Sequence, residues 1–155
     1  MLVDIFDFDG VLVDSLDSHK RFYKDVAREL GFKLNNEKIM DAISKENKNF
    51  YRNMGFSEEQ FAFVRQEYEE RFSNYDCKIF AGIPEMIDKL ARERSLGIIS
   101  LNKIKHIEAF FSQYLPYFEL VVSRDGKLSK ADALKSIMKR FGAENCLFVG
   151  DTNWD

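Results

Sequence analysis

The sequence predicts a doubly wound α/β fold, a parallel sheet with helices on both faces, carrying an inserted all-helical module. Three observations predict it: a short apolar run at the start, a long helical stretch directly after it, and then strands that alternate with helices. Leu2 to Phe8 is largely apolar and ends in acids and Gly10, which is the pattern of a buried strand running into a turn. From Asp17 to about Asn74 the period is helical. Phe22, Val26 and Leu30 recur at i, i+4 and i+8 before Gly31 stops the run, and Ser57-Glu58-Glu59-Gln60 has the form of a capping box. No strand-like run of useful length interrupts this stretch. Residues 1–14 and 81–155 are therefore assigned to the α/β core and residues 15–80 to a helical cap.

After Gly82-Ile83-Pro84, where proline suits a first helical turn, Glu85 to Arg94 reads as a helix and Leu96 to Ser100 as a second strand. Ile104 to Leu115 is the next helix, Phe118 to Val122 the third strand, Ser129 to Phe141 a capped helix, and Cys146 to Val149 a fourth strand running into Gly150-Asp151. In such sheets ligands bind beyond the carboxyl ends of the strands.

The residues at those ends are Asp7 and Asp9, then Ser100 and Asn102, then Asp151 and Asp155. One acid at a strand end is ordinarily a turn residue. Four carboxylates gathered on one edge repel, and the usual compensation is a hard divalent cation with oxygen ligands, of which Mg2+ is the first choice. Side chains at i and i+2 of an extended segment point the same way, so Asp7 and Asp9 can reach one substrate, one attacking and the other moving protons. Gly10 removes a Cβ from the path of a phosphate, and Ser100 can donate to a phosphoryl oxygen. A cation comes from Lys130 or Lys127. Ser129-Lys130-Ala131-Asp132 places Lys130 at the first helical position, where it opposes the helix dipole, a small local cost that hints at function.

The other features set bounds. The 155 residues are 45% hydrophobic and 32% charged, with a net charge of -3 and no basic block, so no nucleic-acid partner is expected. No apolar run approaches the roughly 18 residues of a membrane span, and the first residues lack the form of a signal peptide, so no membrane partner and a cytoplasmic location are expected. Cys77 and Cys146 read as two reduced, packed thiols. His19 is expected to be an inert surface histidine, His106 has no role, and Phe61, Phe63, Tyr68 and Phe72 read as packing.

At these residues the chain resembles the haloacid-dehalogenase (HAD) superfamily of phosphohydrolases over essentially its whole length. Asp7-Phe8-Asp9-Gly10-Val11-Leu12-Val13-Asp14-Ser15 is similar to the first motif of that family and Ile98-Ile99-Ser100 to the second. Lys130, with Lys127 as the alternative, corresponds to the third, and Val149-Gly150-Asp151 through Asp155 to the fourth. The helical insert and Phe80-Ala81-Gly82-Ile83-Pro84-Glu85 resemble the phosphoglycolate-phosphatase and β-phosphoglucomutase branch, whose insert is a cap over the active site.

The resemblance implies that Asp7 is the nucleophile and a Mg2+ ligand. Asp9 would be the general acid/base with its carbonyl on the metal, Asp151 a further ligand, and Asp155 a group acting on metal-bound water or Lys130. It implies a phosphatase acting on a small phosphorylated metabolite through an aspartyl-phosphate. The alternatives are a phosphosugar mutase of the β-phosphoglucomutase kind and a non-catalytic binding or regulatory protein. Asn102 is expected to bind the substrate phosphate together with Gly10, Ser100 and Lys130, although Leu101 intervenes before it in the second motif. The family continues past the fourth motif with a further helix and strand, so the C-terminal part of the core is expected to be missing. The last strand would then be an edge able to pair with another chain.

Overall fold

The computed structural model describes residues 2–45, 49–126 and 128–151. The chain divides into two compact units. Of the described residues, one contains those from 2 to 15 and from 77 to 151, and the other those from 16 to 76. The first is built on a four-stranded sheet. Strand β1 is Val3–Phe6, β4 is Ser95–Ile99, β5 is Phe118–Val122 and β6 is Cys146–Val149. Their order is β5-β4-β1-β6 and every pairing is parallel. The helices of this unit are α5 (Ile83–Leu90), α6 (Ile104–Phe111) and α7 (Lys130–Phe141). This is the α/β fold that the sequence predicts.

Alternation along β1 sorts its side chains. Val3 and Ile5 pack with Ile99 and with Ala133 and Ile137 of α7 on one face. Phe6 and Phe8 take the other, where Phe8 meets Phe111 of α6 edge-on at 5.6 Å and Phe6 meets Phe118 at 6.4 Å. These residues are almost wholly removed from water, and burial of each side chain larger than alanine contributes about 1.5–3 kcal/mol before conformational entropy is counted. Asp4 is also buried, at the amino end of the same strand, where both of its oxygens accept from Nη1 of Arg94 at 3.1 and 3.2 Å.

A small antiparallel pair was not expected: β2 (Val13–Asp14) lies against β3 (Lys78–Ile79). Two residues per strand are too few to show an alternation. Because β3 belongs to the sheet unit, the helical unit closes at Asp76, short of residue 80. The helix expected over Glu85 to Arg94 starts earlier and ends at Leu90, because Ser95 already pairs with β1, and the helix expected to reach Leu115 ends at Phe111.

The second unit contains α1 (Leu16–Glu29), α2 (Asn36–Lys45), α3 (Phe50–Met54) and α4 (Phe61–Arg71). Gly31 follows α1 at φ +83°, and its N–H reaches the Arg28 carbonyl at 3.0 Å. The Ser57 capping box is present, though it opens a 3-10 turn over Glu58–Gln60 that α4 then continues. The core of this unit is aromatic. Phe72 is fully buried and lies 4.4 Å from His19 and 4.5 Å from Tyr68, ring centre to ring centre. His19 is thus half-buried in a ring stack, with Nε2 3.1 Å from the Tyr68 hydroxyl, and is not the surface histidine expected. Arg71 joins the helices through both oxygens of Glu29, at 2.8 and 2.9 Å, and through Glu67 at 2.5 Å. The guanidinium hydrogen bonds hold the Glu29 carboxyl below the usual carboxylate range. Among the described residues no helix is long and apolar enough to cross a membrane.

Candidate active site

The strand order reverses direction at β1. Successive strands step from β4 out to β5, and the chain then returns across the sheet to β6 on the far side of β1. A crevice forms at such a switch point beyond the carboxyl ends of the strands. Asp7 and Asp151 lie just past the ends of β1 and β6, on its two sides.

Asp7 prolongs the ladder of β1, donating its N–H to the Val149 carbonyl at 2.9 Å. Its parity is that of Val3 and Ile5, so its carboxylate falls on the α7 side of the sheet. Lys130, the first residue of α7, meets it there with Nζ 2.6 Å from Oδ2. Oδ1 accepts the Phe8 N–H at 2.7 Å, and Asp7 is only 5% exposed. The helix start that brings Lys130 to this place is fixed by Ser129, whose Oγ accepts the Asp132 N–H at 3.1 Å. A cap of this kind stabilises a helix by about 1 kcal/mol. Lys127, the alternative lysine, lies outside the described residues, as do Trp154 and Asp155.

Asp9 sits on the turn after β1, and the Nδ2 amide of Asn102 donates to its Oδ2. Ser100 extends β4 by one residue, its N–H on the Val122 carbonyl at 2.9 Å. Its Oγ accepts the Asn102 N–H at 3.0 Å, which leaves the hydroxyl proton able to donate. Gly10 has φ +75° and its N–H is used within the turn, on the Val13 carbonyl at 2.9 Å. A Cβ at position 10 would lie 1.9 Å from Oδ2 of Asp151. The room expected for a phosphate is thus filled by the Asp151 carboxylate.

Sequence reasoning missed two features of this edge. Asn102 is held to Asp9, and the loop after β5 is tied to the loop after β4: Arg124 donates its N–H to the Asn102 carbonyl at 2.9 Å, and Oδ2 of Asp125 accepts the first N–H of α6, from Ile104, at 2.7 Å. That backbone hydrogen bond is the main reason the Asp125 carboxyl is held below its usual range.

The donor set suits a hard cation. Asp7, Asp151 and main-chain carbonyls offer only oxygen, with no thiol or imidazole, as Mg2+ requires when water and substrate complete its shell. Among the described residues no group of three or more His, Cys, Asp or Glu side chains gathers as a metal site, since the expected set draws on a main-chain carbonyl and on Asp155. Cys77 and Cys146 are not in a disulfide, and burial raises the Cys146 pKa.

Paired aspartates and a serine beyond the carboxyl ends of a parallel sheet, with a lysine from a helix start on one of them, define an α/β protein equipped for nucleophilic and acid–base chemistry. The family model of the haloacid dehalogenase-like hydrolases matches residues 5–155. A curated relative, phosphoglycolate phosphatase of Synechococcus elongatus, is 30% identical over 161 residues that span 97% of this chain and 75% of that protein. Among solved structures, a candidate phosphoglycolate phosphatase from Lactobacillus plantarum superposes with a TM-score of 0.87 at 18% identity, over 98% of this chain and 78% of its own. A haloacid dehalogenase-like hydrolase from Streptococcus pneumoniae gives 0.83 at 19%, over 100% and 78%. The chain belongs to the haloacid dehalogenase-like hydrolase family.

Proposed function

We propose that this enzyme hydrolyses the phosphomonoester of a small metabolite in the cytoplasm through an aspartyl-phosphate on Asp7, with Mg2+ as cofactor. Family membership and the curated relative support a phosphatase. The observation that carries the mechanism is the buried Asp7 carboxylate, ion-paired to Lys130 and followed two residues later by Asp9.

Phe8 N–H and Lys130 Nζ orient the Asp7 carboxylate. Asp7 attacks phosphorus in line. A bond forms from its carboxylate oxygen to phosphorus as the bond from phosphorus to the leaving oxygen breaks, and Asp9 gives its proton to that oxygen. Asp9 then takes a proton from water, which attacks the phosphorus of the aspartyl-phosphate, releases orthophosphate and restores Asp7. Lys130 neutralises the phosphoryl charge and the Ser100 hydroxyl donates to a phosphoryl oxygen. Asp7, the Asp9 carbonyl and Asp151, with Asp155 a further candidate, would hold Mg2+, which when bound supplies a Lewis acid for the phosphoryl oxygens. Residues 16–76 are the unit in which the residues that select the substrate are sought.

The relative's name makes phosphoglycolate the first substrate to try. A panel of small phosphomonoesters including it, assayed with and without Mg2+, should show metal-dependent phosphate release. Acid quenching with radiolabelled substrate should leave label on the parent and none on Asp7→Asn. Release that ignores Mg2+, or label retained by Asp7→Asn, would overturn the reading.

A further inference from the structure

We infer that Asn102 is a positioning residue for Asp9, holding the proton-carrying carboxylate through its side-chain amide, and is not a ligand of the substrate phosphate. The inference rests on the acid–base reading of Asp9 above. Asn102 is 6% exposed, and its Nδ2 is directed at Oδ2 of Asp9 across 93 positions of sequence. Its main chain is anchored from two sides: the N–H is on Ser100 Oγ at 3.0 Å, and the carbonyl takes the Arg124 N–H at 2.9 Å. The loop that supplies Arg124 is itself tied to the start of α6 by Asp125, at 2.7 Å from the Ile104 N–H. Leu101, the residue that interrupts the second motif, is 45% exposed. The extra residue thus loops outward, and Ser100 and Asn102 on either side of it turn in.

The chemistry explains why an amide suits this position. Asp9 must change protonation state twice per turnover, and a group that moves protons is effective only when held within hydrogen-bond reach of its target. A carboxamide donates through nitrogen to a carboxylate and, after rotation, accepts through oxygen from a carboxylic acid. It can therefore follow Asp9 through both states. An aspartate here would repel the charged form, and a leucine could pair with neither.

The test is a double-mutant cycle with a leaving-group comparison. Parent, Asn102→Ala, Asp9→Asn and the double variant are assayed with Mg2+ on an alkyl phosphomonoester, whose leaving oxygen needs a proton, and on an aryl phosphate, whose leaving oxygen does not. Asn102→Ala is expected to lower the first-turnover rate of leaving-group release, read before the aspartyl-phosphate hydrolyses, by roughly 10²-fold on the alkyl ester, the scale of a misplaced reacting group, and much less on the aryl ester, with KM nearly unchanged. In the Asp9→Asn background the same substitution should cost less than about twofold. A full additive loss in the double variant, a rise in KM, or equal losses on both esters would mean a direct phosphate contact or a merely structural role, and would overturn the inference. Asn102→Ser, a smaller change, is run in parallel, with circular dichroism to establish folding. It should show the same leaving-group bias to a lesser degree, and its absence there would also count against the proposal. An Asp9→Asn variant that slows first-turnover leaving-group release equally on both esters would overturn the acid–base assignment itself, and is distinguishable because that failure appears without any change at position 102.

Discussion

The two ends of β1 carry two buried carboxylates that look alike in isolation and differ in what surrounds them. Asp4, at the amino end, is 3% exposed and has both oxygens on one guanidinium. Asp7, at the carboxyl end, is 5% exposed and paired to a lysine. Burial and a cationic partner are therefore not what marks a functional acid here. The Arg94 pair sits among the regular sheet, whereas Asp7 sits at the switch point, beside a glycine turn, a second aspartate two residues on, and the carboxylate of Asp151. Arg94 meets both oxygens of Asp4 through one guanidinium nitrogen, Nη1. The ammonium of Lys130 is a point charge that can serve an attacking group and a phosphate together.

The strongest way to break this comparison is at the carboxyl end. Lys130→Ala should lower kcat for phosphate release by about 10²–10³-fold, the scale for losing one preorganised electrostatic group. Steady-state kinetics with Mg2+ would check it, and turnover within threefold of the parent would remove Lys130 from the site. At the amino end the effect should be on stability and not on turnover. Arg94→Met leaves Asp4 buried without its cation and should cost about 3 kcal/mol in denaturant unfolding, the low end of the range because Arg94 is one-third exposed. Its kcat, measured below the unfolding transition, should match the parent. A large kcat loss would mean that the two ends are coupled.

Gly10→Ala sharpens the comparison, since it alters only the surroundings of Asp7. The added methyl would collide with the Asp151 carboxylate at a backbone conformation alanine dislikes. Mg2+ affinity, read by calorimetry, should fall by about 10–100-fold, as when a supporting contact of a metal ligand is lost. Unaltered affinity would separate Asp151 from the metal.

The smallest effect concerns Asp125, whose carboxyl is held low chiefly by the Ile104 N–H. A depressed carboxyl contributes stability that is present above its unfolded value, near about 4, and is lost as pH falls through the folded value. Asp125→Asn should therefore narrow the difference in stability between pH 6 and pH 2. Identical pH profiles for variant and parent would show that the cap contributes nothing.

Much of the sheet unit was legible because its signals are local. β5 and β6 have the bounds read from their apolar runs, and Ser129 caps α7 through Asp132 as its spacing indicated. The helical unit was less legible. Its helices announce themselves by period and by the Ser57 box, but the ring stack that makes its core joins α1 to residues about fifty positions away, and nothing local told His19 that Tyr68 and Phe72 would enclose it.

By itself the sequence determined which residues stand at strand ends and which stands at the capped start of α7, because period, caps and chain direction are properties of neighbouring residues. That sufficed to nominate Asp7, Asp9, Ser100, Lys130 and Asp151. Only the tertiary structure decided who meets whom: Lys130 on Asp7, Asn102 on Asp9, Asp151 against Gly10, and Arg94 on Asp4. Those pairs are set by strand order and by the packing of α7 on the sheet, and a hydrogen bond between residues some ninety positions apart or more leaves no periodic trace in the chain that makes it.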